Sequence, residues 1–163
     1  MYICGDWNAR LQKATNELER RIMGTHTFEP ETEDINGMPE EVLDNRTRMI
    51  EYCLENHMIA INTTFRKQHT KLATFRTPST PRDQVITRGS HEQIDYIVCQ
   101  HRWNNNFTNA ESDTNVNIAT DHYPVIGEVL LKLSAQKNKS TKRPKYEKCT
   151  NEQQEELNEK AKR

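Results

Sequence analysis

The sequence predicts an α/β fold, because runs typical of buried strands occur on both sides of one strong helical pattern. Tyr2–Cys4, Met58–Phe65 and Gln93–Cys99 are short and apolar, as buried strands are. In Pro39–His57 the apolar residues recur every three or four positions, which is the period of a helix with one buried face. Both element types within one chain indicate the α/β class.

Composition divides the chain into two parts. The 163 residues are enough for one domain, and at 33% hydrophobic and 29% charged they offer a lean core. Residues 1–134 carry a net charge of −5, whereas residues 135–163 carry +4 and lose the apolar periodicity. We therefore predict a domain over 1–134, then a basic linker and a charged helical tail over 135–163, with the helix at Asn151–Lys162.

The remaining elements of the domain are assigned from local patterns. Pro39 suits a first helical turn, and we expect Asn45 to serve as a cap or loop anchor. Before this helix, residues 11–37 are polar and predict a long surface loop that ends in a turn at residues 34–37. Within it, Lys13–Arg21 could form a short helix, but its apolar positions are sparse. Shorter strands are predicted at Leu72–Thr77 and Trp103–Asp113, and a last core strand at Tyr123–Leu133. The basic segment Arg66–Lys71 between strands indicates either a solvated turn or a contact with a nucleic-acid backbone.

Three polar groups stand at the ends of predicted strands. Asp6 and Asn8 follow the first strand at a spacing of two, so an extended chain would point both side chains the same way. The same residues are also typical of a simple Asx turn. Asp95 lies near the start of the predicted strand Gln93–Cys99, and Asp121–His122 places a carboxylate beside an imidazole just before the last strand. Such groups, if they meet, suit a metal or an activated water.

In this order, the three groups resemble the second half of the endonuclease/exonuclease/phosphatase superfamily, which includes apurinic-site endonucleases and pancreatic-type DNases. Asn62–Phe65 and Ala73–Phe75 match further strands of that family. The chain looks most like endonuclease domains of non-LTR retrotransposons of the RTE/Bov-B kind, and is similar to craniofacial development protein 2-like proteins. The resemblance covers about residues 1–134. It implies a sandwich of two mainly antiparallel sheets flanked by helices, here the C-terminal half with one sheet.

The resemblance also implies a role for each residue that matches the family motif. Asp6 would position or deprotonate water or assist the leaving group, and would share metal binding with Asp121. Asn8 would orient the water. His122 would contact the scissile phosphate, and Asp95 would fix the tautomer of its ring. The implied cofactor is Mg²⁺, with Mn²⁺ as an alternative, and the implied reaction is hydrolysis or nicking of DNA.

The family domain begins before its Gly-Asp-x-Asn strand, so we expect this chain to lack a metal-binding Glu and to be weakly active or inactive alone. DNA, a complementing N-terminal half and a downstream reverse transcriptase domain are the expected partners. A non-catalytic remnant that binds a partner is the alternative function, and a phosphatase of the same superfamily is a further one. The core residues do not distinguish nicking from exonucleolytic digestion.

Cysteine usage and hydropathy bound the location of the protein. Cys4, Cys53, Cys99 and Cys149 form no CxxC pair, so we expect small buried side chains rather than a zinc site. No apolar run approaches the ~20 residues of a membrane span, and no signal peptide is recognisable. A nuclear or cytoplasmic location without membrane contact is therefore expected.

Overall fold

A computed structural model describes residues 1–28, 38–87, 89–131 and 151–161. The chain forms two compact units, Met1–Leu131 and Lys132–Arg163. In chain order the first unit contains β1 (Tyr2–Asp6), α1 (Glu17–Ile22), α2 (Glu40–Glu55), β2 (Met58–Ala60), β3 (Phe75–Arg76), β4 (His91–Glu92), β5 (Asp95–Gln100), β6 (Phe107–Ser112) and β7 (Val125–Val129). The second contains α3 (Asn151–Lys160). This is the predicted α/β class.

The strands of the first unit pair antiparallel in three small sheets. The largest has the order β1-β5-β2, and β3-β4 and β6-β7 are two-stranded. In the largest sheet Asp6 stands opposite Asp95, and Ala60 opposite Val98. The prediction of one sheet is therefore wrong in detail for the described residues, although the antiparallel α/β arrangement is confirmed. The register matters for function because it puts Asp6 beside Asp95.

Helix α2 is the predicted central helix and packs against the largest sheet. It begins one residue after Pro39, which occupies the N-cap position with extended backbone. Its inner face buries Met49, Ile50 and Cys53 in a core cluster that also contains Tyr96 and Val98 of β5. The helical period in the sequence thus identified both the element and its buried face.

Residues 11–28 do not form a surface loop, so over the described part of this segment the prediction was wrong. Leu11, Ile22 and Met23 are buried in the same core cluster as α2. The buried Arg46 of α2 holds the segment by donating to the carbonyl oxygen of Leu11 at 3.1 Å and to the carboxylate of Glu19 at 2.6 Å. These apolar residues follow no regular period, so pattern analysis did not detect their burial. The predicted turn at residues 34–37 lies outside the described residues.

Several predicted strands are shorter in the structure. The strand from Met58 ends at Ala60, and a 3-10 turn at Ile61–Thr63 follows. Of Leu72–Thr77 only Phe75–Arg76 is a strand, and residues 101–106 form a 3-10 turn before β6. At the first two sites side chains bond to backbone groups that a longer strand could have paired. The buried Asn62 bonds to the backbone of β5, and the hydroxyl of Thr74 accepts from the backbone N–H groups of Ile94 and Asp95.

Two strands expected in the core are largely exposed. In β1, an edge strand of its sheet, Ile3 is half-buried and the other four residues are exposed. β7 is exposed over Ile126–Val129, and the apolar Leu130 and Leu131 that follow are 55% and 66% exposed. The predictions of a buried first strand and a last core strand are therefore wrong over the described residues, which do not cover these faces.

We expect this exposed apolar surface to cause self-association. Replacing Ile126, whose side chain is 45% exposed on β7, with lysine should lower the concentration dependence of the sedimentation coefficient. The control is Val85→Lys, because Val85 is 76% exposed but stands alone in a loop. A monodisperse wild-type monomer at all concentrations would contradict the expectation.

The second unit is described only through α3, whose Lys160 pairs with Glu156 one turn earlier at 2.9 Å. No helix among the described residues is long and apolar enough to cross a membrane.

Cys53 and Cys99 are buried free thiols, as predicted, and burial raises the pKa of Cys53 to about 12. Cys4 is exposed, against the prediction, because it lies on β1. Cys149 lies outside the described residues.

Candidate functional site

Asp95 and His122, which are 27 positions apart, are in direct contact. Nδ1 of His122 lies 3.0 Å from Oδ2 and 3.2 Å from Oδ1 of Asp95. The Asp95 side chain is 16% exposed and the His122 side chain 34%, so the carboxylate stands behind a ring that solvent reaches. A carboxylate in this position holds the proton on Nδ1 and leaves Nε2 free for a ligand.

Phe75 brings the His122 segment to this place. It forms an antiparallel bridge with His122, and the two rings meet edge to face with centroids 5.0 Å apart. On its other side Phe75 pairs with Glu92 in β4. The short β3 therefore joins the His122 segment to the chain that leads into Asp95.

Asp6 and Asn8 stand next to this pair, but they do not lie on an extended chain. β1 ends at Asp6, whose Oδ1 accepts a hydrogen bond from the backbone N–H of Asn8 at 2.8 Å. Asn8 has a φ of +48°, in the left-handed region, so the chain is not extended here. Strand geometry therefore does not set the directions of the Asp6 and Asn8 side chains. The Asx turn kept as the simpler interpretation is therefore present. Asn45 anchors it by donating to the carbonyl oxygen of Asn8 at 3.1 Å, as a loop anchor should.

One cleft of about 440 Å³ unites most of these groups. Asp6, Asn8 and His122 line it, with Phe75 and Ile94 among its apolar contacts. Asp95 does not line this cleft itself, but it contacts His122, which does. A carboxylate, an amide and an imidazole around one cleft can accept a proton, orient a water and contact an anionic oxygen.

Asp121 is not among the residues that line the cleft, although it precedes His122 directly. Its carbonyl oxygen accepts from the backbone N–H of Arg76 at 2.9 Å, and the hydroxyl of Thr120 lies 3.4 Å from its Oδ1. Within residues 1–28, 38–87, 89–131 and 151–161, no three or more His, Cys, Asp or Glu side chains form a group suited to a metal. Asp6 in the cleft and Asp121 outside its lining therefore do not make up a metal site by themselves within the described residues, and their metal role stays a prediction.

Sequence analysis missed one ion pair in the cleft. Arg10 forms a bidentate salt bridge with the carboxylate of Glu92, and both side chains are mostly buried. The pair neutralises one acidic group, while Asp6 and Glu41 remain in the lining. No sequence motif marks Arg10 and Glu92 as partners, since 82 positions separate them.

The basic segment Arg66–Lys71 is partly neutralised within the protein. The ammonium groups of Lys67 and Lys71 lie 2.7 and 2.9 Å from the two carboxylate oxygens of Glu111. Hydrogen bonds from these two lysines lower the pKa of Glu111. For Lys67 and Lys71, though not for Arg66, this pairing favours the solvated-turn interpretation over a contact with a nucleic-acid backbone.

A second histidine, to which the sequence assigned no role, is buried behind the cleft. His91 is 2% exposed, with the Ser90 hydroxyl 2.9 Å from its Nδ1 and the Tyr123 hydroxyl 3.3 Å from its Nε2. Burial, helped by the charge of Arg76 and opposed by a hydrogen bond with the backbone of Thr87, lowers the pKa of His91. His91 is therefore a structural group held in its neutral form.

The lowered pKa of His91 predicts that the protein loses stability as the pH falls below about 6.5, the ordinary value for histidine. Below that pH the unfolded chain binds a proton that the folded chain resists, so the equilibrium moves toward unfolding. Denaturant unfolding at pH 7.5, 6.5 and 5.5 measures this, and His91→Gln should flatten the dependence. The exposed His101 supplies the control: His101→Gln should keep the wild-type dependence, and an equal flattening in both variants would contradict the assignment.

Comparison with known proteins gives two similar sequences. Craniofacial development protein 2 of Bos taurus is 29% identical over 134 residues, and that of Tragulus javanicus is 28% identical over 133. Each alignment covers 82% of this chain but 19% of the relative. No protein-family model matches the chain. The chain is thus similar to craniofacial development protein 2 over most of its own length, and it spans about a fifth of the length of the curated relatives it matches.

Proposed function

We propose that this chain is part of a phosphodiesterase domain of the endonuclease/exonuclease/phosphatase superfamily, of the retroelement endonuclease type, and that its substrate is DNA. The observation that carries the proposal is the contact between Asp95 and His122 at a cleft lined by Asp6 and Asn8. These groups fit the hydrolysis of a phosphodiester, which needs an activated water, relief of charge at the phosphate and protonation of the leaving oxygen.

Each side chain has one task in this proposal. His122, with Nδ1 held by Asp95, presents Nε2 to a phosphate oxygen or to the leaving oxygen. Asp6 keeps one carboxylate oxygen free of the bond to the Asn8 backbone and accepts a proton from water. The amide of Asn8 orients that water. The magnesium dependence implied by the resemblance is a separate part of the proposal, tested by removing the ion.

Supercoiled plasmid nicking by the full chain tests the proposal. Wild-type protein should nick slowly in Mg²⁺, and His122→Ala should lower the rate by about 10²–10⁴-fold, the usual contribution of a general acid or base. His101→Ala, which changes an exposed histidine outside the cleft, should nick like wild type. Asp121→Ala and EDTA should each abolish nicking if the cation is required.

Two results would contradict the proposal. Absence of nicking in both Mg²⁺ and Mn²⁺ would remove the catalytic function from this chain, and equal nicking by His122→Ala would trace the activity to another nuclease. A rate unchanged by EDTA would contradict only the magnesium part. Adding the first half of a full-length relative should raise a weak rate if further segments complete the site.

The exposed apolar surface of β7 favours a second candidate, a non-catalytic module that binds a partner protein. Ile126 of β7 and the residues Leu130 and Leu131 just after it are 45%, 55% and 66% exposed, and a contiguous group of exposed apolar side chains is typical of a surface that binds a partner. A complementing segment of a longer protein and a reverse transcriptase domain are the proposed partners. Loss of their binding in Ile126→Lys, with nicking absent in wild type, would favour this candidate.

A further inference from the structure

Thr74 is buried where three segments of the candidate site meet. Thr74 is 1% exposed and lies directly before β3. Its backbone N–H donates to the carbonyl oxygen of Glu92 at 2.8 Å, and its own carbonyl oxygen accepts from the N–H of Tyr123 at 2.7 Å. The Thr74 backbone therefore fixes the residue that follows His122.

The hydroxyl of Thr74 fixes the other member of the pair. Its Oγ1 accepts hydrogen bonds from the backbone N–H groups of Ile94 at 2.9 Å and Asp95 at 3.0 Å. Here β5 begins, and these two donors point at a side chain rather than at a neighbouring strand. A backbone N–H that loses its partner in a buried place costs free energy, so this arrangement is restrictive.

Asn62 binds the other backbone group of Asp95, its carbonyl oxygen. Its Nδ2 donates to the carbonyl oxygen of Asp95 at 3.0 Å, and its Oδ1 accepts from the N–H of Ile97 at 3.2 Å. Asn62 is 2% exposed. Both backbone groups of Asp95 are thus bound by buried polar side chains, and its carboxylate is left to face His122.

We infer that Thr74 is a positioning residue that sets the contact between Asp95 and His122, by binding the backbone of Asp95 through its hydroxyl and the backbone of Tyr123 through its carbonyl oxygen. The inference rests on the proposed function for its catalytic meaning. The geometric part stands on its own, since the Asp95–His122 contact exists whether or not the cleft hydrolyses a phosphodiester.

The test reads the position of the proton on the His122 ring. Long-range proton–nitrogen correlation spectra of the labelled full chain at pH 8.5 distinguish the Nδ1–H from the Nε2–H form, and loss of the signal in His122→Asn assigns it. Wild type should hold the proton on Nδ1. Thr74→Val keeps the shape but removes the acceptor, and should move part of the population to Nε2–H. Thr74→Ser restores the hydroxyl and should match wild type.

A matched control separates positioning from general destabilisation. Thr63 is fully buried, and its hydroxyl also binds backbone, donating to Ala60 at 2.6 Å and accepting from the N–H of Gly24 at 2.8 Å. Thr63→Val therefore makes the same chemical change at a residue whose hydrogen bonds go to Ala60, Gly24 and His26 rather than to Asp95 or the His122 segment, and should leave the Nδ1–H form intact. An unchanged proton position in Thr74→Val, or the same change in both valine variants, would overturn the inference.

Two further readouts cover the other outcomes. If Thr74→Val does not fold, hydrogen exchange in the wild type decides, because rapid exchange of the Ile94 and Asp95 amides would overturn the inference. If the wild type nicks DNA, Thr74→Val should lower the rate by about 10²-fold, and Thr74→Ser should restore it. A moved proton in Thr74→Val together with an inactive wild type would support the positioning role and contradict the proposed function.

Discussion

Replacing Asp95 with asparagine is expected to slow phosphodiester cleavage by about 10³–10⁴-fold, as the equivalent change does where an aspartate orients a catalytic histidine. Asparagine keeps the size of the side chain but offers an N–H₂ group to Nδ1 of His122, which favours the wrong tautomer. It also removes the negative charge that stabilises a protonated ring. Initial nicking rates measure the loss.

The expected loss is distinguishable from unfolding because the backbone of Asp95 keeps its bonds to Thr74 and Asn62. The thermal midpoint of Asp95→Asn should therefore stay within a few degrees of wild type. Asp44→Asn is the control, since Asp44 is an exposed residue of α2 outside the cleft. A cleavage rate within tenfold of wild type for Asp95→Asn would show that the contact with His122 has no catalytic part.

Replacing Arg46 with alanine is expected to reduce the free energy of unfolding by about 3–5 kcal/mol, the usual cost of removing one partner of a buried ion pair. The Arg46 side chain is 4% exposed and that of Glu19 is 8% exposed. Burial alone would raise the pKa of Glu19, but hydrogen bonds from Arg46 and Thr15 lower it overall, so the carboxylate is charged and depends on its partner. A small domain has only about 5–15 kcal/mol of stability in total.

Arg48→Ala is the matched control for Arg46→Ala. Arg48 lies on the same helix and pairs with Asp44 at 2.8 Å, but the two side chains are 74% and 53% exposed. Pairs of this kind contribute about 0.3–0.5 kcal/mol. Urea unfolding at pH 7.5 should separate the two variants clearly. Similar midpoints for both would mean that the Arg46–Glu19 pair does not hold the segment before α2 in place.

The candidate site was predictable where chemistry-bearing residues stand beside strong local patterns. Asp95 lies at the start of a recognisable apolar strand, and His122 directly precedes a Tyr-Pro pair at the start of another, so both were detected as candidates. Arg10, Glu92 and Thr74 were not, because their partners are distant in sequence and no spacing rule connects them. Asp6 and Asn8 line the same cleft as His122, but their geometry depends on an Asx turn rather than on an extended strand.

Local patterns are enough to predict the α/β class, the helix α2 with its buried face and the strand of Asp95. These features are local, since period and propensity act over neighbouring residues. The burial of Leu11 beside Arg46, the exposure of β1 and β7, and the contact of Asp95 with His122 become visible in the folded chain alone. These features depend on packing between distant parts of the chain and on which backbone groups bond to side chains. A local sequence pattern contains no information on either.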